Sequence, residues 1–256
     1  MLTMSDAEYW SAALPENERW LSKPRPGVQF VSVMEPDGIV EGCEFPPRPK
    51  TVAAAVQACQ ELVGIHGPEN VIGICAFKDK PAGVRELNDA IRAAQGFDDP
   101  MPRVGELLMI TKNRSDALNG QRYRAIVIDA DRKQIAARLI GASHKIMLAF
   151  KPHMRGPCKN VDWGYVATVH KYQGSEATAV LTVIPSGTLK LMKAVGGESE
   201  PWFFDRSCAY TACSRPKLSL IIVGDPDDIC KAIALNRSDR ITALSRMFAS
   251  EGVSHG

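Results

Sequence analysis

Apolar runs and helical apolar patterns alternate over the first hundred residues of the chain. Val28–Val33 alternates like a strand, and Asn70–Phe77 is a continuous apolar run, which is typical of a strand buried on both faces. A helical pattern follows each run, at Val52–Val63 and at Val84–Ala94. Thr51 precedes the first of these patterns and is its predicted N-cap. This order of strand, helix, strand and helix predicts a parallel α/β sheet.

Near Pro100 the pattern changes to short β-like runs that are separated by turn signals. The Asn119-Gly120 pair between apolar runs is a strong hairpin signal, and Asp129 and Asp131 are interpreted as turn residues. These features predict a small antiparallel barrel. α/β character then returns, with predicted strands at Ala179–Ile184 and Leu218–Val223 and predicted helices at 204–213 and Pro226–Leu235.

The predicted organisation is one α/β domain that is interrupted by a β unit. The α/β domain covers 28–101 and 157–240, and the β unit covers 102–156. Residues 1–27 form an N-terminal extension and residues 241–256 a C-terminal tail. With 256 residues, 45% of them hydrophobic, the chain is long enough to bury a sizeable core.

Positive charge is concentrated in the predicted β unit. The net charge of the whole chain is only +2, but residues 101–160 hold 12 Lys and Arg against 4 Asp and Glu, a balance of +8. The remainder holds 31 − 12 = 19 basic and 29 − 4 = 25 acidic residues, a balance of −6. Such a stretch fits a surface for a phosphate backbone, but also a solvated face of a small β unit. Charge alone does not decide between these two interpretations.

Cysteine usage and hydropathy favour a reducing compartment. The seven cysteines are irregularly spaced and contain no CxxC pair, as expected for thiols that serve as small core residues. The first twenty residues lack the apolar core of a signal peptide, and no apolar run approaches 18 residues. We therefore expect a soluble cytoplasmic protein that has no membrane partner.

Two polar segments beside apolar strands carry the candidate chemistry. Tyr165-Val-Ala-Thr-Val-His-Lys-Tyr-Gln-Gly-Ser-Glu176 crowds groups that can contact phosphate, sugar or base into one loop. Ala209-Tyr-Thr-Ala-Cys-Ser-Arg-Pro-Lys217 places Arg215 where Pro216 ends a helix, so its guanidinium can reach a neighbouring phosphate. Each has a simpler interpretation when it is taken alone, because His170 is then a loop histidine and Arg215 a surface charge.

Together and in this order, the two segments resemble motifs V and VI of superfamily 1 helicases, particularly the RecD/TraA-type group. The departures from the family pattern are Tyr172 for Ser in motif V, and Ser214 for Thr and Pro216 for Ala in motif VI. Phe77–Asn88 resembles the motif IV region of the same group.

The resemblance covers roughly Asn70 to Cys230 and implies the C-terminal half of such a helicase. Arg103–Asn113, followed by Leu118-Asn-Gly120, resembles the opening of the family's SH3-like insertion. The implied fold is a second RecA-like motor domain, a parallel sheet with helices on both faces, into which an SH3-like β-barrel is inserted.

Roles follow from the resemblance at the positions that match. Arg215 resembles the arginine finger, and the residues expected near ATP and its Mg²⁺ are Lys78, Gly174, Glu176 and Arg215. The residues expected to touch single-stranded DNA are Thr168, His170, Lys171 and Gln173. The family also implies five-prime to three-prime movement on DNA.

The sequence has no Gly-x-x-x-x-Gly-Lys-Ser/Thr segment to cradle phosphates, and no metal site is predicted. We therefore expect the chain alone neither to hydrolyse ATP nor to unwind DNA, and to require a Walker A/B-containing half. It can equally be a truncated, split or degenerate helicase relative. The remaining alternatives are a non-enzymatic module that binds single-stranded nucleic acid and a pure interaction partner, although a scaffold would need neither motif.

Overall fold

The computed structural model describes residues 27–35, 46–79, 81–97, 101–150, 157–172, 174–188 and 206–234. The helices are α1 (Pro49–His66), α2 (Val84–Ala94), α3 (Arg206–Cys213) and α4 (Pro226–Ala234), with a 3₁₀ turn at Pro68–Asn70. The strands are β1 (Gly27–Ser32), β2 (Val71–Cys75), β3 (Leu107–Ile110), β4 (Arg122–Asp129), β5 (Gln134–Leu139), β6 (Lys145–Ala149), β7 (Val161–Trp163), β8 (Val166–Thr168), β9 (Ala177–Ile184) and β10 (Pro216–Gly224).

Five strands form a parallel sheet, sheet A, in the order β1-β10-β9-β2-β8. Alternate residues of β2 enter two different cores. Val71 and Cys75 pack with α1 and α2, whereas Ile72 and Ile74 belong to a cluster that includes α3 and α4. The predicted α/β sheet with helices on both faces is confirmed, and it is consistent with a RecA-like fold. Among the described helices, none is long and apolar enough to cross a membrane.

The predicted start of α1 is wrong. The helix begins at Pro49 with Arg48 as its N-cap, so Thr51 is the third helical residue and makes no cap through its side chain. The Thr51 backbone N–H instead donates to a carboxylate oxygen of Glu35, at 2.6 Å. A buried acidic side chain from outside the helix thus satisfies an N–H of the first turn, where the helix dipole favours negative charge. A local pattern does not reveal such a partner.

Five further strands form the antiparallel sheet B, in the order β6-β5-β4-β3-β7. The antiparallel character predicted for this stretch is confirmed. Asn119-Gly120, however, does not make a two-residue hairpin, because residues 111–121 all lie between β3 and β4. Gly120 lies near the end of this longer loop and has a φ of 87°. Asp131 lies in the turn between β4 and β5 as predicted, whereas Asp129 is the last residue of β4, and its carboxylate accepts the backbone N–H of Arg132 in that turn.

The chain passes from sheet B to sheet A through only two residues, Gly164 and Tyr165, which separate β7 from β8. The Gly164 N–H donates to the carbonyl of Leu107 at 2.7 Å. A Cβ atom at Gly164 would lie 2.9 Å from the backbone of Leu108. Because backbone cannot yield as a flexible side chain does, only glycine fits at this crossing.

Arg122 connects the two sheets beneath this crossing. Its buried guanidinium donates to the carbonyls of Gly164 at 2.9 Å, Val71 at 2.7 Å and Glu69 at 3.4 Å. Burial lowers the pKa of Arg122. Three carbonyl partners compensate for the removal of this charge from water.

Ion pairs also join sheet B to its surroundings. Arg92 at the end of α2 forms a buried pair with Glu106 at 2.5 Å. Arg124 of β4 and Arg138 of β5 share one carboxylate oxygen of Glu69, at 3.1 and 3.0 Å. Part of the positive charge of the β unit is therefore neutralised within the fold rather than exposed to a partner.

The buried thiols of the described residues behave as core groups. Burial raises the pKa of Cys59 to about 12 and that of Cys75 to about 11. Thiols with such pKa values stay protonated at neutral pH and are poor nucleophiles. This agrees with the core role predicted from the sequence.

We expect Arg122→Met to lower the free energy of unfolding by about 3 kcal/mol, because the carbonyls of Gly164 and Val71 lose their donor without access to water. Urea denaturation measures the change. Arg124→Met is the matched control, since the Arg124 side chain is 41% exposed, and it should cost below about 1 kcal/mol. Equal losses in the two variants would contradict a special role for Arg122.

Candidate functional site

The loop between β8 and β9 carries most of the residues predicted to act. Thr168 is in register with Cys75, and Cys75 with Val183. Ala177, where the loop ends, lies six positions before Val183, which corresponds to about 20 Å along a strand. The loop therefore starts at the carboxyl edge of sheet A and ends at its amino edge.

Local hydrogen bonds shape this loop. The Tyr172 N–H donates to the carbonyl of Thr168 at 3.2 Å, and the Ser175 N–H donates to the carbonyl of Tyr172 at 3.1 Å. Val169 and Tyr172 are buried in the same cluster as Ile72 of β2. The first half of the loop thus packs against sheet A, and only its polar residues remain accessible.

Tyr172, where the resembling helicases have Ser, holds the loop from within. Its side chain is only 5% exposed, and its hydroxyl donates to the carbonyl of Glu176 at 2.9 Å. Burial raises the pKa of Tyr172, and the neighbouring Arg122 guanidinium opposes part of this rise. The departure from the motif is therefore a core residue that connects the loop to Arg122.

At the carboxyl edge, two lysines from different elements meet one carboxylate. Lys171 Nζ lies 3.2 Å and Lys78 Nζ lies 3.8 Å from an oxygen of Asp162 on β7. Thr168 accepts the N–H of Lys171 with its hydroxyl at 3.3 Å, and the His170 side chain is exposed beside them. We call Lys78, Asp162 and Lys171 the lysine cluster. It brings positive charge and hydrogen-bond donors to one edge of the sheet.

At the amino edge, the ends of motifs V and VI lie side by side. The Ala177 N–H donates to the carbonyl of Arg215 at 3.2 Å, and Lys217 pairs with the exposed Glu176 at 3.3 Å. Arg215 is half-buried, and its Nε donates to the carbonyl of Thr211 at 3.1 Å, which caps the end of α3. An arginine and a carboxylate thus face one edge, an arrangement suited to a phosphate and a ribose hydroxyl.

Gly174 provides the change of direction before this edge. Its φ of 85° lies in the left-handed region that favours glycine, and a Cβ there would meet no neighbouring atom. Conformation, rather than crowding, therefore accounts for a glycine here. Gln173, which is expected to touch DNA, lies outside the described residues.

A groove of about 330 Å³ opens between sheet B and the second half of the loop. Tyr172, Glu176 and Lys217 line one side of it, and Gln121 and Arg122 line the other. Most residues that line the groove are polar, and the groove lies at the amino edge of sheet A, beside Glu176.

The structure divides the predicted site differently from the sequence. Lys78 was expected with Glu176 and Arg215 near the nucleotide, but it lies at the opposite edge, in the lysine cluster. Sequence reasoning also missed Asp162 as a member of this cluster. Asp162 carries no local signal beyond its alternation with the apolar Val161 and Trp163 in β7.

Comparison with known proteins agrees with the motifs. RecBCD enzyme subunit RecD from two strains of Mycobacterium tuberculosis, CDC 1551/Oshkosh and ATCC 25618/H37Rv, is 26% identical to the chain over 184 residues. The resemblance to RecD-type superfamily 1 helicases is confirmed. The match covers 70% of this chain but only 29% of the length of those relatives. No family model matches the chain.

Solved structures of Pif1 helicases align weakly with this chain. Bacteroides Pif1 bound to ssDNA is 15% identical with a TM-score of 0.45, over 81% of this chain and 56% of that one. Pif1 helicase from Candida albicans is 15% identical with a TM-score of 0.35, over 58% and 36% of the two chains.

The structure predicts that Tyr172 stabilises the loop by both its ring and its hydroxyl. Tyr172→Phe removes one hydrogen bond and should lower the free energy of unfolding by about 1 kcal/mol. Tyr172→Ser restores the family residue but leaves a cavity, so we expect a loss of about 3 kcal/mol. Urea denaturation measures both. A serine variant as stable as the wild type would show that the ring is dispensable.

Proposed function

We propose that this chain is the C-terminal motor half of an ATP-dependent DNA helicase, supplying motifs IV, V and VI to a cleft completed by a Walker A/B-containing half. The observation that carries the proposal is the loop 169–176, which has a cationic cluster at one end and an arginine with a carboxylate at the other. A motor that couples ATP hydrolysis to movement along a DNA strand needs one domain that contacts both the nucleotide and the strand.

The DNA part of the proposal rests on the carboxyl edge of sheet A. Lys78 and Lys171 provide ammonium groups from two different parts of the chain, and the side chain of His170 is exposed to solvent. Lysines bind phosphates as point charges, and aromatic rings such as imidazole can stack on unpaired bases. We assign single-stranded DNA to this edge, with Thr168 and Gln173 as the remaining contacts expected from motif V.

The nucleotide part rests on the amino edge. The hydrogen bond from Arg215 to the carbonyl of Thr211 fixes the arginine side chain. Arg215 therefore stays at the amino edge of sheet A, beside β9, which begins directly after Glu176. An arginine in such a place stabilises charge that develops on a transferred phosphoryl group. In the proposal Glu176 and Gly174 face the nucleotide, and the other half supplies the Mg²⁺ and most phosphate contacts. Among the described residues, no group of three His, Cys, Asp or Glu side chains is arranged for a metal ion.

Sheet B has a supporting part in the proposal, as the SH3-like insertion of the family. Its edge strand β7 contributes Asp162 to the lysine cluster, and Arg122 fixes it against sheet A. A second candidate function, a non-enzymatic module that binds single-stranded nucleic acid, is favoured by the lysine cluster taken alone, since that cluster needs no nucleotide.

If Lys171 contacts DNA phosphates, Lys171→Gln should weaken binding of a fluorescein-labelled oligothymidylate and make the slope of log K against log salt shallower by about 0.7. Anisotropy titrations between about 50 and 200 mM NaCl measure both quantities. Lys133→Gln on the exposed β4–β5 turn removes the same charge and should leave the affinity nearly unchanged. No binding by the wild type even at the lowest salt would overturn the DNA assignment.

The arginine-finger role is tested in a complex with a Walker A/B-containing half. We expect Arg215→Ala to reduce DNA-stimulated ATP hydrolysis by at least about 100-fold, because charge on the γ-phosphoryl group loses its counter-ion. Oligothymidylate binding by the variant chain should be unchanged, which controls for folding of the α3 end. Undiminished hydrolysis would remove Arg215 from the mechanism, whereas hydrolysis absent from every complex would favour the binding module.

A further inference from the structure

Asp162 occupies an unusual place for a carboxylate, at the centre of an edge that is expected to bind a polyanion. It lies on β7, the edge strand of sheet B, in register with Met109 of β3. Its side chain is 28% exposed and reaches Lys171 at 3.2 Å and Lys78 at 3.8 Å with the same oxygen. Two cations from separate elements therefore share one anion.

The fold does not depend on this carboxylate in the way it depends on Arg122. Backbone pairing with Met109 keeps β7 in sheet B, and the flanking Val161 and Trp163 are the buried side chains of the strand. The Lys78 and Lys171 side chains are 41% and 23% exposed. The longer and more exposed pair with Lys78 contributes little to stability, so we look for the role of Asp162 in what it does to the two ammonium groups.

A phosphate oxygen and a carboxylate oxygen satisfy an ammonium group in the same way, at the same distance and with the same sign of charge. Asp162 thus holds both lysine side chains in one place and takes up the position that a phosphate would take between them. We propose that Asp162 is an intramolecular competitor for the DNA phosphate, which positions Lys78 and Lys171 but must give them up when the strand binds.

This competition has a direct consequence for affinity. With Asp162 the lysine cluster carries a formal net charge of about +1, and without the carboxylate charge about +2. Each additional neutralised phosphate releases counter-ions, so removing the carboxylate charge should tighten binding and steepen its salt dependence. A strand held less tightly is easier to release, which suits a translocating motor. The inference rests on the proposed binding of single-stranded DNA at this edge.

The experiment compares Asp162→Asn with Asp129→Asn in the full chain. Both changes remove one negative charge from sheet B, but Asp129 pairs with Arg132 in the β4–β5 turn, outside the lysine cluster. We expect Asp162→Asn to bind labelled oligothymidylate about two- to fivefold more tightly at low salt, with a slope steeper by about 0.7. Asp129→Asn should change neither quantity measurably.

A second set of variants assigns the effect to the lysines. In the Lys78→Gln/Lys171→Gln background, adding Asp162→Asn should no longer tighten binding. If Asp162→Asn weakens binding or leaves it unchanged while Lys171→Gln still weakens it, the competitor role is wrong and the DNA assignment stands. If the wild type and all variants fail to bind, the DNA assignment itself fails. A gain that persists in the double-glutamine background would show that Asp162 acts through general charge, and would also overturn the inference.

Discussion

The position of the site depends on the buried guanidinium of Arg122. It is held by the carbonyls of Val71, at the start of β2, and of Gly164, at the crossing between the sheets. Arg122 itself lies on β4 of sheet B and Val71 on β2 of sheet A, so one side chain fixes sheet B against the strand that Lys78 follows. Because β7 and β8 are only two residues apart, the same restraint sets where Asp162 lies relative to Lys171. The lysine cluster is therefore a consequence of how the sheets are joined.

The fold changes the interpretation of the positive charge in the β unit. Counted along the sequence, its lysines and arginines fitted either a surface for a phosphate backbone or a solvated face. In the fold, Arg122 is buried against carbonyls, and Arg124 and Arg138 share Glu69. A sequence count cannot separate such internal pairs from exposed charge, because the partner carboxylate lies more than fifty residues away. The cations that matter for the proposed function, Lys78 among them, lie mostly outside the basic stretch.

Elements with a strong local signal were predictable from the sequence. The bounds of α2 match its apolar periodicity, and β2, β9 and β10 follow from their continuous apolar runs. The three-residue strands β7 and β8 were missed, because their pairing is decided by β3 and β2 rather than by their own residues. The start of α1 was misplaced for a related reason, since Glu35 serves Thr51 from sixteen residues away. Non-local contacts thus account for these errors.

For the candidate site, the motifs identified the right loop but not the arrangement of its ends. Their order along the chain does not reveal that Thr168 and Glu176 lie at opposite edges of the sheet, nor that Tyr172 is the buried link between them. The Tyr172 carbonyl accepts the N–H of Ser175, and the Tyr172 hydroxyl donates to the carbonyl of Glu176. The Tyr172 N–H donates to the carbonyl of Thr168. A displacement of Glu176 relative to Thr168 must therefore break one of these bonds or shift a ring that is packed in the core. Since packed cores resist continuous deformation, the two ends of the loop are mechanically connected through Tyr172.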